Sequence, residues 1–152
     1  MVIARNAKPN DAFGMSAILQ EIITYWESPK PSSPDHVLDV YINHPDQLSS
    51  FVADRESEIV GFQSLKIALK NNTYDVTPGW GVIGTYEGLN LRGTGIGRSL
   101  FEKTLQTAKR SGLEFIDATI STDNQNALAY YSAMGFVEYR RRSNNISKKR
   151  RV

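Results

Sequence analysis

Three glycines in five positions, within Arg92-Gly93-Thr94-Gly95-Ile96-Gly97, mark where this chain is best placed to hold a ligand. Glycine has no Cβ to keep the backbone away, so successive peptide N–H groups can turn toward one bound anion. A helix starting at this point adds its unpaired first-turn donors and the positive end of its dipole. The chemistry implied is the binding of a phosphate. Two familiar phosphate binders fit poorly. A dinucleotide-binding unit spaces its glycines Gly-x-Gly-x-x-Gly directly after its first strand, with an acid about 20 residues on. Asp117 has that separation, but the glycines here run Gly-x-Gly-x-Gly and the preceding 80 or so residues have no place in such a unit. A P-loop needs Gly-Lys-Ser or Gly-Lys-Thr, which is missing.

The elements that must position this loop are legible from periodicity. Val2 to Arg5 reads as a strand. Asn10 or Asp11 caps an amphipathic helix with Met15, Ile18, Leu19, Ile22 and Tyr25 at helical spacing. Three prolines between Ser28 and Pro34 end it, and a shorter helix follows over about Asp35 to Asn43. Leu48 to Ala53 and Ile59 to Leu69 are rich in strand formers and are joined by a polar hairpin connection. Lys70 to Gly79 is a loop, and Trp80 to Tyr86 is the strand that enters the glycine segment. After the glycines a helix runs to about Ser111. A strand over Glu114 to Ile120, a helix over Asn124 to Met134 and a last strand opening at Phe136 complete the order. The expected fold class is α/β (α+β), a mixed, mostly antiparallel central sheet flanked by helices.

Composition narrows the function. A chain of 152 residues is one ordinary domain. It has no cysteine and only His36 and His44, which leaves no disulfide, no thiolate or His-rich metal centre and no Cys nucleophile, so no metal is expected. No signal peptide or membrane span is visible, and a soluble, cytoplasmic protein is expected. Seven of the 18 bases lie between Arg140 and Arg151, and no acid follows Glu138. Without those seven the body carries about −5, which argues against nucleic acid as a partner. Residues 1–142 are read as the domain and 143–152 as a basic, flexible tail.

Strand, Arg92-Gly93-Thr94-Gly95-Ile96-Gly97, helix, strand, then Asn124 and Ala127-Leu128-Ala129-Tyr130-Tyr131-Ser132-Ala133-Met134-Gly135-Phe136 resembles the GCN5-related N-acetyltransferases. The first segment is similar to their acetyl-CoA pyrophosphate loop and the second to their Asn…Ala-x-x-x-Tyr-x-x-x-Gly-Phe helix. The likeness is close over Gly84 to Phe136. It implies an acyl-CoA N-acyltransferase fold using acetyl-CoA as donor, in which the strand before the loop splays from its neighbour and pairs with the pantetheine arm through Thr85, Tyr86 and Glu87. Backbone donors from Gly93, Thr94, Gly95, Ile96, Gly97 and Arg98 would hold the pyrophosphate, with Arg92 or Arg98 adding a full positive charge nearby and Ser99 a hydroxyl. Asn124 would hydrogen-bond the arm, and Tyr131 would stand near the sulfur as general acid, while Tyr130 packs.

The acceptor implied is a small-molecule primary amine or amino-acid-like compound. Such an amine is almost wholly protonated near neutral pH, so a base is needed. Many relatives place a glutamate early on the strand before the loop, where this chain has Gly81. Glu87 becomes the candidate, acting through a water, with Tyr86 and Asp123 weaker. Tyr25, Trp26 and Glu27, followed by the proline-rich stretch, are the candidate acceptor contacts through cation–π and charge. Dimers are common in the resembling family, although no exposed apolar stripe demands a homodimer here. The competing reading is a noncatalytic acyl-CoA-binding or regulatory module of the same fold.

Overall fold

The computed structural model describes residues 1–91 and 93–152. Arg92, one of the expected anion ligands, lies outside the described residues. The chain runs β1 (Val2–Asn6), α1 (Ala12–Tyr25), α2 (Pro34–Val37), β2 (Gln47–Arg55), β3 (Glu58–Ile67) and β4 (Gly81–Glu87). It continues through α3 (Ile96–Arg110), β5 (Phe115–Ser121), α4 (Gln125–Ala133), β6 (Val137–Arg141) and β7 (Asn145–Arg151). Among the described residues the strands form one sheet of seven in the order β1-β2-β3-β4-β5-β7-β6. Only β4 and β5 pair in parallel. The mixed, mostly antiparallel sheet flanked by helices is therefore the architecture observed.

Alternation along β3 explains how both faces are covered. Phe62 faces α1 and α2, where it joins Ala12, Met15, Ile18, Leu19, Val37 and Val52 in one apolar cluster. Leu65 faces α3 and α4 and packs with Phe101, Ala108, Ile116, Tyr131 and Phe136. Burial on both sides makes β3 an inner strand, which its near-continuous apolar sequence foreshadows. At the sheet edge, Arg5 clamps the start of α1. Its guanidinium donates two hydrogen bonds to Asp11, 2.8 and 2.9 Å, and a third to Asp54, 3.0 Å. Asp11 is thus engaged with Arg5 and with the Lys8 N–H, and its side chain does not cap the helix that follows it.

The second helix differs from expectation. Only Pro34–Val37 is α-helical, capped by Ser33 accepting from the His36 N–H, and Leu38–Ile42 widens into a π turn. That turn swings Tyr41 over Phe62 and Tyr86, with ring centroids 5.3 and 5.4 Å apart.

The larger correction concerns the C-terminus. Residues 145–151 are not a flexible tail; they form β7, inserted between β5 and β6 and registered with β5 from Phe115↔Arg151 to Ser121↔Asn145. The bases that made this segment look solvated alternate between two uses. Lys148 donates to the Leu128 carbonyl at 2.9 Å and to the Ser132 hydroxyl, along the side of α4, and Arg150 donates to the Met134 carbonyl at 2.9 Å, at its negative C-terminal end. Lys149, on the other face, sits over Phe115, Trp80 and Tyr139, with its Nζ 4.6 to 5.5 Å from the ring centroids.

Candidate active site

The site begins where two strands separate. Strand β4 is paired with β3 along its whole length, from Gly61↔Glu87 to Ile67↔Gly81. With β5 it shares only Gly81↔Ile116 and Val82↔Asp117. Beyond Val82 the edge of β4 that carries Thr85, Tyr86 and Glu87 opens away from β5, as an extended, amide-bearing ligand would need. Gly81 lies at the closed end. A Cβ there would come within 2.9 Å of Leu65 and Leu113, so packing of the core explains the glycine and leaves no room for a carboxylate side chain.

The glycine loop follows the strand. Gly93 and Gly95 have φ of 78° and 87°, and Gly95 is the N-cap of α3. A left-handed N-cap glycine brings no side chain, and the first turn contains no acid, so among the described residues no side chain caps the opening donors of α3. This fits an anion at the helix start. Thr94 pins the loop by donating to the Leu91 carbonyl, Ile96 is buried, and Arg98 and Ser99 are exposed on the first turn. Gly97 is small for a different reason: a Cβ would lie 2.6 Å from the Tyr130 ring.

Tyr130 is more than packing. Its hydroxyl donates to the Gly97 carbonyl at 2.7 Å and accepts from Gln63 Nε2 at 3.0 Å, tying α4 and β3 to the glycine loop. Gln63, fully buried on β3, also donates to Thr85 Oγ1 at 2.9 Å. Because the Tyr130 proton is spent on Gly97, the group facing Tyr130 must be a donor, which fixes the Gln63 amide with nitrogen inward. Its Oε1 is buried without a partner among the described residues. Thr85 Oγ1 in turn lies 2.8 Å from the Tyr131 hydroxyl, a contact that joins β4 to α4. Tyr131 is only 5% exposed, and burial pushes its phenol well above the ordinary value; burial raises Tyr130 likewise, to about 12.

Sequence reasoning passed over Gln63. Its only signal there is a polar residue at an inward position of an otherwise apolar strand. Asn124 is the N-cap of α4: its Oδ1 accepts from the Ala127 N–H at 3.1 Å, and Nδ2 takes no part in the cap. Glu87 ends β4 on the same face as Gly61 and Gln63, and its charge is felt by Tyr130. Tyr86 points to the other face, stacking on Phe62 at 4.8 Å, so only its backbone belongs to the open edge. Tyr25 and Trp26 stand edge-to-face, 5.3 Å apart and largely exposed, at the end of α1. Glu27 follows with a φ of 51°. The structure does not bring these three into contact with Thr85 or Tyr131.

Also unforeseen is Asp117 on β5. It is buried and accepts from Tyr139 and from Thr119, 3.0 Å for the latter. Burial raises its carboxyl above the usual range despite these donors. Among the described residues no group of three or more His, Cys, Asp or Glu side chains is placed to hold a metal ion. No helix among them is long and apolar enough to cross a membrane.

Comparison with known proteins agrees with this geometry. The structure of yncA from Salmonella typhimurium, solved with its cofactor acetyl-CoA, superposes with a TM-score of 0.82 at 16% identity, over 99% of this chain and 93% of that one. A GCN5-related N-acetyltransferase from Kribbella flavida gives 0.82 at 15% identity, covering 99% and 98%. A ribosomal-protein-alanine N-acetyltransferase from Brucella melitensis gives 0.79 at 20% identity, covering 99% of both chains. At these identities the likeness establishes the fold. Among curated proteins, an uncharacterized N-acetyltransferase from Methanocaldococcus jannaschii is 33% identical over 49 residues, a match that spans 32% of this chain and only 22% of the relative. The family model described as Acetyltransferase (GNAT) family matches residues 15–136, from α1 to the end of the Tyr130–Phe136 motif, and on that match the chain belongs to the GNAT acetyltransferases.

Proposed function

We propose that this protein transfers the acetyl group of acetyl-CoA directly to the primary amine of a small molecule. The observation that carries the reading is the opening of β4 from β5 after Val82, beside an uncapped α3 and the Thr85–Tyr131 contact. When bound, acetyl-CoA supplies an activated thioester for attack by the amine. The chain's own residues do the rest. The open edge at Thr85, Tyr86 and Glu87 orients the pantetheine arm together with Asn124 Nδ2. Donors at the start of α3, with Arg92 and Arg98, hold the pyrophosphate.

Gln63 fills one lone pair of Thr85, Thr85 gives its own proton to the Tyr131 oxygen, and the Tyr131 proton is left to point at the sulfur as negative charge grows there. A buried phenol is a weaker acid than a thiol, whose ordinary pKa is about 8.5. Complete transfer from Tyr131 therefore runs uphill. Its contribution as general acid is a hydrogen bond that strengthens as the thiolate forms. Glu87 is the proposed base, acting through a water.

The test is to incubate the protein with acetyl-CoA and a panel of amines while following free thiol. Amine-dependent release establishes the transferase. Tight binding of acetyl-CoA without release, for any amine, would instead favour a noncatalytic acyl-CoA-binding module, a reading that Gly81 in place of the usual glutamate keeps in play.

A further inference from the structure

Lys66 is the charge that the mechanism does not use. It lies on β3, 6% exposed, on the same face as Phe62. Burial lowers its ammonium below the ordinary value, and Asp46 acts on it only as a nearby charge. Among the described residues no carboxylate reaches it within ion-pair distance, and its one described contact is with the face of Tyr41, 5.2 Å from the ring centroid. A single cation–π contact does not offset the desolvation of an ammonium, so a fold that only needed to be stable would place an apolar side chain here.

The neighbours complete an anion-seeking surface. Tyr41 and Tyr86 have hydroxyls 3.2 Å apart. One of them donates to the other, so one proton of the pair has no described acceptor. Burial raises both phenols, which keeps both protonated at neutral pH. Tyr41 and Tyr86 are half-buried and Tyr74 beside them is exposed, so the cluster lies close to the surface and not in the sealed core. Its place in the sheet is specific. Val82 is registered with Lys66 on one side and with Asp117 on the other, at the point where β4 and β5 part. Thr85, which contacts Tyr131, is three residues farther along β4, roughly 10 Å. The Thr85 side chain leaves β4 on the face opposite Lys66 and Tyr86, so an acceptor whose acid is held at Lys66 presents its amine through the opening between β4 and β5, where the two faces meet.

We propose that Lys66, with the Tyr41–Tyr86 hydroxyl pair, binds a carboxylate of the acceptor, so that the amines acetylated are amino acids or similar zwitterions and not polyamines. This rests on the transferase reading for the word acceptor, but the anion site itself can be tested without turnover. In the presence of CoA, α-, β- and γ-amino acids and their carboxamides are titrated into wild type and Lys66→Met by calorimetry. At least one acid is expected to bind wild type about 10- to 100-fold more tightly than its carboxamide, as loss of one charge-assisted contact implies. Lys66→Met brings that acid down to the level of its amide.

The proposal is overturned if no acid outbinds its amide in wild type, or if the preference survives in Lys66→Met. The wild-type comparison stands even if the variant fails to fold. Thiol release is then followed with the preferred acid. Lys66-dependent binding without release would leave the anion site intact and bring down the transferase reading instead.

Discussion

Thr85 Oγ1 stands 2.8 Å from the Tyr131 hydroxyl, at the place where β4 has left β5. A phenol and a threonine joined across two elements hold each other in one rotamer, which is what a donor aimed at a leaving sulfur requires. Tyr131→Phe is expected to bind acetyl-CoA almost as well as wild type and to lower kcat by about 10²- to 10⁴-fold. Because burial raises the phenol above its ordinary value, kcat in wild type is expected to show no fall due to Tyr131 below about pH 10. An unchanged kcat in the variant, or a descending limb near neutral pH that disappears with it, would rule out the role given to Tyr131.

Gln63 is linked to both tyrosines, directly to Tyr130 and to Tyr131 through Thr85. Gln63→Leu keeps the approximate volume and removes both donors, leaving Thr85 and Tyr130 short of a partner in a buried setting. The expected cost is about 1–3 kcal/mol in stability by denaturant titration. A fall in kcat is also expected, larger than the change in acetyl-CoA affinity. Gln63→Glu separates packing from polarity, since a carboxylate offers no N–H to either hydroxyl and should impair turnover as strongly as leucine does.

These two residues show what the sequence can and cannot convey. Tyr131 is legible because its motif is local: alanine, two tyrosines, glycine and phenylalanine at helical spacing on one short element. Gln63 and Lys66 are not, because a polar residue in an apolar strand acquires meaning only when the register of β3 with β4 places it against Thr85 or Val82. Pairing between distant segments is invisible to local periodicity. The same holds for β7. Alternating lysine and arginine look like a solvated tail until the carbonyls of α4 and the rings of Trp80, Phe115 and Tyr139 are brought beside them. The glycine loop is legible as a loop that opens a helix, but only the structure separates Gly95, which holds a left-handed N-cap, from Gly97, which makes room for Tyr130.

That separation has a measurable form. Gly95→Ala meets no atom of the described residues within 4 Å, so its penalty is conformational, about 1–2 kcal/mol for a left-handed alanine. It is expected to weaken acetyl-CoA binding by displacing the N–H groups of the first turn, with little effect on the rest of the protein. Gly97→Ala drives a methyl into the Tyr130 ring. Pairing it with Tyr130→Phe does not relieve the clash, because the nearest ring atom is retained, whereas Tyr130→Ala should restore part of the lost affinity. Calorimetric titration with acetyl-CoA checks both.

Stability in acid is expected to depend on the Arg5–Asp11 pair. The two hydrogen bonds from Arg5 hold the Asp11 carboxyl below its ordinary 3.8. A depressed carboxyl stabilises the fold fully above the unfolded value, and that contribution is lost as pH falls through the folded one. The Tm of wild type should therefore drop as pH falls below about 4, and Asp11→Asn should flatten that drop while lowering Tm near neutrality. Removal of the clamp is expected to cost about 1–3 kcal/mol at pH 7. Parallel melting curves for the two proteins across that range decide the point.

Deletion of residues 145–152 gives the sharpest contrast between a tail and a strand. A tail would come off without consequence. Here the deletion removes the strand between β5 and β6, exposes the β5 edge from Phe115 to Ser121, and takes away the donors that Lys148 and Arg150 give to the carbonyls of α4. Because α4 carries Tyr130 and Tyr131, the loss should reach the active site as well as the core. The truncated chain is expected to be insoluble or molten by near-ultraviolet circular dichroism. The milder Lys148→Met keeps β7 and removes only the contacts to Leu128 and Ser132. It should fold, with a lower Tm and a measurable fall in kcat as Tyr131 loosens, and a truncation that melts like wild type would return the segment to solvent.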